Sequence, residues 1–311
     1  LERGLAYYDF RTDEELGAAR EEAEQTGKPR QVERPAHIVP LTEARARVAK
    51  GEPAAIRFKI LEKRDYQFND LVRGDVSFPS DMVGDFVILR SNGMPVYNFC
   101  CVIDDALMKI THVLRGEEHL SNTLRQLMLY EAFNYAVPKI GHLSVILDTN
   151  RQKLSKRHGA TSCNDFRVRG FLPDALTNFI ALMGWSSPKG QEILSRAELI
   201  EQFDTDRLNP AAAVFDDQKL NWVNATHLRA LSPKVLWQEI KPYLDEAGLE
   251  LSSDPHWQES AVEVFKTSMT TLLDAVALFK PISDKQFAVG PEGLKVLKWP
   301  ETKKALEAWR S

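Results

Sequence analysis

The sequence predicts an α/β core in its first half and a mostly helical second half. Residues 96–103 are almost wholly apolar, as in a strand that is buried on both faces. An amphipathic helical segment begins near residue 121, and residues 143–147 are again apolar. The order strand, helix, strand is typical of a parallel sheet. Beyond about residue 190 no strand-like alternation occurs, which favours helices there.

Short helices and strands are expected in the first ninety residues. Thr12 and Glu15 form a capping-box pattern, which predicts a helix from residue 14 to about residue 26. Residues 42–49 offer a second short helix. Strands are expected at residues 55–60, 70–74 and 86–89.

Helix signals recur through the second half of the chain. Residues 173–183 are amphipathic, with a proline at the first position and Gly184 after the end. A second helix is expected to begin after Ser232 and to end at Gly248. Residues 257–279 form a third helical region.

Composition describes an ordinary globular protein. The 311 residues suggest two or three domains, and 43% of them are apolar and 27% charged. No apolar run approaches the roughly 18 residues of a membrane helix, and the first residues contain no apolar segment of a signal peptide. The net charge of −4 implies that any nucleic-acid contact would come from local basic clusters.

The cysteines and the chain ends carry further expectations. Cys100, Cys101 and Cys163 are odd in number and irregularly spaced, which argues against a disulfide framework and provides no C-x-x-C pair for zinc. Reduced thiols in an intracellular compartment are the plain interpretation. The chain begins at Leu1 rather than methionine and stops within a helical pattern, so a truncated or processed chain is expected.

The segment Lys153-Leu154-Ser155-Lys156-Arg157-His158-Gly159 is the most informative for chemistry. Three cations and a serine lie within five residues, directly after an apolar segment. Cations that converge from one loop offset the negative charge of a phosphate chain. The alternative is a solvated basic turn without a function of its own.

This segment resembles the K-M-S-K-S signature of class I aminoacyl-tRNA synthetases, in the K-L-S-K-R form of the glutamyl branch. Further stretches resemble glutamyl-tRNA synthetases, in the family's order and spacing, over residues 1 to about 250. They are Asp70-Leu71-Val72-Arg73-Gly74, Arg90-Ser91-Asn92-Gly93-Met94-Pro95-Val96-Tyr97-Asn98-Phe99, Asp104-Asp105, Thr111-His112-Val113-Leu114-Arg115-Gly116-Glu117-Glu118-His119-Leu120 and Gly170-Phe171-Leu172-Pro173-Asp174-Ala175-Leu176.

The resemblance implies roles in binding ATP. Lys156 matches the family's ATP-contacting lysine, with Lys153 and Arg157 beside it, and the two lysines are the expected catalytic groups. Positions expected around the nucleoside are Glu118, Val145, Ile146 and Leu147. Magnesium is expected with ATP, because it neutralises the phosphates, and zinc is not expected.

The resemblance also implies a glutamate pocket. Arg115 matches the arginine that holds the substrate, which is chemically apt because arginine binds a carboxylate with two hydrogen bonds. Tyr97 matches an aromatic hydroxyl in the same pocket. Two alternatives stay open: Arg115 pairs with Asp104 or Asp105, and Tyr97 is ordinary core. Residues interpreted as structural are Asp104, Asp105, Cys101, His112, His142 and His227.

The implied fold is an α/β Rossmann-type half domain with an inserted α+β domain, followed by mostly α-helical domains. Residues 1–90 match the inserted domain that binds the tRNA acceptor end. Residues 91–165 match the second half of the catalytic domain, with the KLSKR loop. The helical regions match a stem-contacting domain at 166–230 and the start of an anticodon-binding domain at 231–311.

The implied activity is that of a glutamate–tRNA ligase, which converts L-glutamate and ATP to glutamyl-adenylate and transfers glutamate to tRNA(Glu). The implied partners are therefore ATP, L-glutamate and tRNA(Glu), without a membrane, and a monomer is expected. A bacterial cytoplasm is the expected location; a plastid stroma or a mitochondrial matrix is the alternative.

One departure from the family's pattern stands out. The H-I-G-H motif of class I synthetases does not occur in these 311 residues, so this chain alone is expected to be inactive. A non-catalytic tRNA-binding or assembly protein derived from a synthetase is the main alternative. A tRNA-modifying paralogue without an anticodon domain and a glutaminyl enzyme are less favoured, given the helices after Ser232 and the His-Gly that follows the KLSKR segment.

Overall fold

The computed structural model describes residues 1–12, 14–17, 21, 34–60, 63–154, 162–283 and 289–310. The chain divides into two compact units. The first comprises Leu1–Val145 with Asp204–Ala212, and the second comprises Ile146–Phe203 with Ala213–Ser311.

The first unit contains most of the described strands and three of the helices. Its strands are β1 (Ala6–Asp9), β2 (Ala55–Phe58), β3 (Asp65–Asp70), β4 (Gly74–Pro79), β5 (Phe86–Leu89), β6 (His112–Gly116) and β7 (Lys139–Leu143). Its helices are α1 (Leu41–Ala49), α2 (Tyr97–Leu107) and α3 (Leu120–Phe133). Residues 14–17 are also helical.

The second unit is mainly helical. Its two short strands are β8 (Ile146–Leu147) and β9 (Ala213–Val214). Its helices are α4 (Cys163–Val168), α5 (Pro173–Ala181), α6 (Arg196–Gln202), α7 (Asp217–Ala230), α8 (Pro233–Glu246), α9 (Pro255–Phe265), α10 (Asp274–Phe279), α11 (Pro291–Leu297) and α12 (Pro300–Arg310). No helix in the described part of the chain is both long enough and apolar enough to cross a membrane.

Several expectations for the first ninety residues are confirmed. The capping box forms, since Thr12 Oγ1 accepts a hydrogen bond from the Glu15 amide at 3.3 Å and the Thr12 amide donates to Glu15 Oε2 at 2.8 Å. Helix α1 and strands β2 and β5 lie where the sequence predicts them. Strands β1, β2 and β5 form an antiparallel sheet in that order.

The strand predicted at residues 70–74 is wrong, because this segment is the turn between β3 and β4. One oxygen of the Asp70 carboxylate accepts hydrogen bonds from the amides of Val72 and Arg73, at 2.9 and 3.0 Å. Such bonds stabilise a tight turn that an aspartate begins. Gly74 completes it with a φ of 73°, in the left-handed region that glycine adopts most readily.

The strand predicted at residues 96–103 is also wrong, because this segment belongs to helix α2. Val102 is fully buried, whereas Tyr97 and Leu107 at the two ends are 50% and 70% exposed. A short apolar run fits a buried helix face as well as a buried strand, so its pattern does not separate them.

A strand–helix–strand unit exists, but β6 and β7 form it with α3. The two strands are parallel, and Arg115 of β6 stands directly opposite His142 of β7. The four-stranded sheet has the order β4-β3-β7-β6, with β3 antiparallel to β4 and parallel to β7. Residues 143–147 do not form one strand, because β7 ends at Leu143 and β8 pairs with β9 in a separate parallel ladder.

The second unit has its own hydrophobic core. Helices α5, α7, α8, α9 and α10 contribute most of its fully buried members, which include Ala175, Leu220, Leu236, Val262 and Phe279. The predicted helices at 173–183, after Ser232 and within 257–279 are confirmed. The Ser232 hydroxyl caps α8 by accepting a hydrogen bond from the amide of Val235. The two residues of β9 are strand structure that the sequence did not indicate beyond residue 190.

Candidate functional site

The guanidinium of Arg115 lies on the face of the sheet that α3 covers. Its Nη2 donates hydrogen bonds to Thr123 Oγ1 at 2.6 Å and to Gln126 Oε1 at 2.8 Å, both from α3. Its Nε donates to His142 Nε2 at 3.2 Å, across the β6–β7 pair. Three neutral acceptors therefore fix the orientation of this cation.

Arg115 has no ion pair with a carboxylate within the described residues, so a pair with Asp104 or Asp105 is not found there. Asp105 instead accepts a hydrogen bond from the Tyr130 hydroxyl at 3.3 Å. A partly buried guanidinium that touches only neutral groups keeps its charge available for an anionic ligand.

His142 lies behind Arg115 and has no solvent exposure. Its Nδ1 is 2.6 Å from Asp70 Oδ2. Burial lowers the pKa of His142, and this effect outweighs the opposite effect of the Asp70 charge. The imidazole is therefore neutral near pH 7.

Asp70 is the end of this buried chain of polar groups. Its Oδ1 accepts from the amides of Val72 and Arg73 and from the amide of His142, the last at 3.1 Å. Burial alone would raise the pKa of Asp70, but the hydrogen bonds from His142 and from the three amides together lower it. Asp70 is thus an ionised carboxylate at neutral pH.

Tyr97 begins helix α2 and lies near Arg115. It is 50% exposed, which excludes the interpretation of an ordinary core residue. Its ring centroid is 5.7 Å from that of His119. Burial of the hydroxyl raises the pKa of Tyr97, and hydrogen bonding with the neighbouring Cys101 adds to this rise. Burial likewise raises the pKa of Cys101, so its thiol stays protonated.

A row of amide side chains continues from Gln126, and the sequence did not single it out. Gln126 Nε2 donates to Asn98 Oδ1 at 3.1 Å, while Asn98 Nδ2 donates to Asn122 Oδ1 at 3.4 Å. Asn122 is in turn 3.2 Å from His119 Nδ1. Because the Gln126 amide nitrogen faces Asn98, its oxygen faces Arg115.

Two glutamates follow β6. Glu117 forms an ion pair with Arg73, and its Oε1 accepts a hydrogen bond from the Val145 amide at 3.3 Å. The Glu118 carboxylate folds back over Gly116, so that a Cβ placed on that glycine would overlap Glu118 Oε2. Glu117 therefore anchors the backbone at Val145, a role that the sequence did not predict.

The KLSKR segment lies mostly outside the described residues, which include Lys153 but neither Lys156 nor Arg157. Lys153 forms an antiparallel bridge with Leu147 of β8. The intervening turn is held by Asp148, whose Oδ1 accepts from the amides of Asn150 and Gln152 at 2.9 and 2.8 Å. The start of the segment is thus anchored to a strand.

A family profile described as "tRNA synthetases class I (E and Q), catalytic domain" matches residues 1–222. The chain belongs to this family. Among curated relatives, the glutamate–tRNA ligase of Bdellovibrio bacteriovorus is 50% identical over 312 aligned residues, which cover 100% of this chain and 63% of that protein. The glutamate–tRNA ligase of Aquifex aeolicus is 44% identical over 94% of this chain and 62% of its own length.

A solved structure of this class I synthetase family is similar over nearly the whole chain. It is the glutamate tRNA ligase of Elizabethkingia meningosepticum in complex with its amino acid. The two share 31% sequence identity with a TM-score of 0.85, over 98% of this chain and 65% of the other. The chain thus spans less than two thirds of the length of the relatives it matches.

The structure brings together some of the site residues that the sequence predicts. Tyr97 and Arg115 are neighbours in the first unit, and Glu118 and Val145 follow the carboxyl ends of β6 and β7. Ile146, Leu147 and Lys153 belong to the second unit. Residues that the sequence left out of the site, but that hold Arg115 directly, are Thr123, Gln126 and His142.

Proposed function

We propose that this chain is part of a glutamate–tRNA ligase that activates L-glutamate with ATP and transfers it to tRNA(Glu). The observation that carries the proposal is the Arg115 guanidinium, which three neutral acceptors orient beside the half-exposed Tyr97. The relatives with 50% and 44% identity, both named glutamate–tRNA ligases, support it.

The charge at Arg115 favours glutamate over glutamine. A substrate carboxylate supplies the anion that the guanidinium lacks among the described residues, by accepting charge-assisted hydrogen bonding from Nη1, the nitrogen that does not bond Thr123, Gln126 or His142. An uncharged amide leaves the partly buried cation without a counter-charge, which costs binding free energy. The raised pKa of Tyr97 keeps its hydroxyl protonated, so it can donate its single proton to the substrate carboxylate in place of Cys101.

We propose that ATP binds across the positions implied by the family pattern. Glu118, Val145, Ile146 and Leu147 surround the nucleoside, and backbone groups at the strand ends read the adenine edge. Lys153, Lys156 and Arg157 contact the phosphates as the catalytic and ATP-binding cations. Magnesium arrives with ATP as part of the substrate complex, and no zinc is required.

The proposed adenylate formation needs no protein base, because the substrate carboxylate is itself the nucleophile. Its oxygen attacks the α-phosphorus of ATP, and pyrophosphate leaves with the electron pair of the broken P–O bond. A hydroxyl of the terminal adenosine of tRNA then attacks the acyl carbon and gives its proton to a phosphate oxygen of the adenylate. The acyl C–O bond to that phosphate breaks, and AMP leaves with its electron pair. The cations offset the negative charge that develops on the phosphates.

The proposed domains follow the family pattern: acceptor-end binding by residues 1–90, the second half of the catalytic fold at 91–165, stem contact at 166–230 and the start of anticodon binding at 231–311. In the described sheet, β6 is paired on one side only. Leu114, on this edge strand, is 40% exposed. Both observations support the proposal that further strands of the whole protein extend this sheet. We further propose a monomer in a bacterial cytoplasm.

The test is ATP–pyrophosphate exchange with L-glutamate in the presence of tRNA(Glu). The full-length protein should support exchange with glutamate and not with glutamine, whereas residues 1–311 alone should not support it. Binding of tRNA(Glu) by the full-length protein without any exchange would favour the non-catalytic tRNA-binding alternative. Exchange that prefers glutamine would refute the role assigned to Arg115.

A further inference from the structure

His142 is more than a buried histidine that fills space. Parallel pairing of β6 and β7 places it directly opposite Arg115, so both side chains emerge on the same face of the sheet. Strand β3 lies on the other side of β7 and brings Asp70 to the same face. Asp70, His142 and Arg115 thus form a row across three neighbouring strands.

The hydrogen bonds define the tautomer of the imidazole. The Nε–H of Arg115 is a donor only, so His142 Nε2, which lies 3.2 Å away, must accept. The ring proton is therefore on Nδ1, which donates to Asp70 Oδ2 at 2.6 Å. The Thr123 hydroxyl donates to the same Nε2 at 2.9 Å while it accepts from Arg115 Nη2.

We propose that His142, held by Asp70 as the neutral Nδ1–H tautomer, is the positioning residue that orients Arg115 for a carboxylate ligand. The proposal rests on the proposed function for the identity of that ligand, L-glutamate. Asp70 and His142 touch neither ATP nor glutamate in this scheme; they act through the guanidinium.

The order of the three groups explains why an imidazole separates two charges. If Asp70 contacted Arg115 directly, the two would form a buried ion pair, and the guanidinium would have less to gain from a substrate carboxylate. The neutral ring transmits orientation without supplying a counter-charge. Asp70 meanwhile receives its hydrogen bonds from three backbone amides and from the ring.

Burial and two facing cations favour the neutral ring of His142, and together they outweigh the opposite effect of the Asp70 carboxylate. Arg115 on β6 and Arg73 in the β3–β4 turn are the cations that face it, and Asp70 on β3 is the anion. Helix α3 presents the uncharged Thr123 and Gln126. Protonation would turn Nε2 into a donor that points at Arg115, which would end the hydrogen bond.

Two amide substitutions test the hydrogen bond of His142 to Asp70 and its hydrogen bond to Arg115 separately. His142→Asn keeps a donor for Asp70 but places no acceptor at the former Nε2 position. His142→Gln extends an amide oxygen towards Arg115 and keeps an acceptor there. If His142 only joined β3 to β7, the Asn variant would raise KM for glutamate less than the Gln variant. If His142 positions Arg115, the Gln variant raises it less.

The experiment measures steady-state pyrophosphate exchange by the full-length protein with tRNA(Glu). We expect His142→Asn to raise KM for glutamate roughly tenfold to a hundredfold, with a much smaller change in kcat and in KM for ATP, because one hydrogen bond to a charged group is disturbed. His142→Gln should recover a large part of that loss. His227→Asn is the matched control: His227 is partly buried, its Nε2 is 3.0 Å from Asn178 Oδ1 in the second unit, and its substitution should leave KM for glutamate unchanged.

The outcomes distinguish this proposal from the proposed function. If the wild-type protein does not use glutamate, the proposed function fails. Two results with a wild-type protein that uses glutamate refute the positioning role of His142: His142→Asn leaves KM for glutamate unchanged, or it raises KM less than His142→Gln does. Either result leaves the proposed function standing.

A spectroscopic measurement keeps the test decisive if the Asn variant does not fold. In the wild-type protein labelled with ¹⁵N-histidine, the signals lost in His142→Gln identify the ring. They should report a protonated Nδ1 and an unprotonated Nε2 at pH 7. An imidazolium, or the opposite tautomer, would overturn the proposal.

Discussion

The Nε of Arg57 in β2 donates a hydrogen bond to Asp9 Oδ2 in β1 at 2.5 Å, and the two side chains are only 5% and 2% exposed. A buried ion pair contributes little relative to an apolar pair, but removal of one partner leaves a desolvated charge. The Asp9 carboxylate keeps a second partner, Arg11, at 2.9 Å.

We therefore predict that Arg57→Ala lowers the free energy of unfolding by about 3 kcal/mol, at the lower end of the effect of breaking a buried pair. Urea denaturation of the two variants Arg57→Ala and Arg45→Ala checks this. Arg45 pairs with Glu2 on the surface, where both side chains are more than half exposed, so its loss should cost less than about 1 kcal/mol. Equal costs for the two variants would contradict the prediction.

Stability should decrease as the pH falls, in two stages. Burial keeps the pKa of His142 below its ordinary value of about 6.5, so the unfolded chain takes up a proton there before the folded chain does. The contribution of His142 is complete above that value and is lost as the pH falls below it.

The second stage involves carboxylates. Burial would raise the pKa of Asp85, but hydrogen bonds from Arg34 and from the amide of Ile60 together lower it. This contribution is present above the ordinary aspartate value of about 4 and is lost as the pH falls through the lower folded value. Unfolding by urea between pH 7.5 and 3.5 measures both stages, and Asp85→Asn should flatten the lower one. An unfolding free energy that rises as the pH falls from 7.5 to 3.5 would contradict the assignment.

Arg115→Lys should raise KM for glutamate in the full-length protein by roughly tenfold to a hundredfold. Lysine keeps the charge but lacks the planar guanidinium. The N–H groups of the guanidinium can donate to Thr123, Gln126, His142 and a ligand carboxylate at the same time. Arg196→Lys, on an arginine whose side chain is 62% exposed in the second unit, is the control and should leave KM for glutamate unchanged. An unchanged KM for glutamate in Arg115→Lys would remove Arg115 from the binding site.

Gly170 and Gly248 offer a matched pair for the second unit. Both have a positive φ, 80° and 67°. A Cβ on Gly170 would lie 2.8 Å from the backbone nitrogen of Leu273, whereas a Cβ on Gly248 would meet nothing within 4 Å. Gly248→Ala should cost about 1–2 kcal/mol from the backbone conformation alone, and Gly170→Ala should cost more, because the neighbouring backbone must move.

Thermal unfolding of the two alanine variants compares these costs. The larger fall in Tm should belong to Gly170→Ala. Equal falls would mean that the segment around Leu273 shifts without resistance.

The sequence predicted those elements whose signals are local. The capping box at Thr12, the cap at Ser232 and the alternation along β2 each depend on residues within a few positions of one another. Helix α2 was missed because its apolar residues suit either a strand or a helix, and β6 was missed because its five residues do not alternate between apolar and polar types.

Part of the candidate site could also be predicted from the sequence. Family motifs pointed to Tyr97 and Arg115, which are close in space. His142 lies 27 positions beyond Arg115, and only the register of two parallel strands brings them together. Without the position of β6, nothing in the sequence connects the two residues, and the sequence alone favours a structural role for His142.

Asp70 lies within the segment assigned to acceptor-end binding, whereas His142 and Arg115 lie in the segment assigned to catalysis. The proposed amino-acid pocket therefore depends on residues from both proposed regions, which would otherwise be treated as interchangeable modules. A chimaera that imports residues 1–90 from a relative without an aspartate at this turn would disturb amino-acid affinity as well as tRNA affinity. The junction for such a graft belongs before β3, so that the aspartate stays with the histidine it holds.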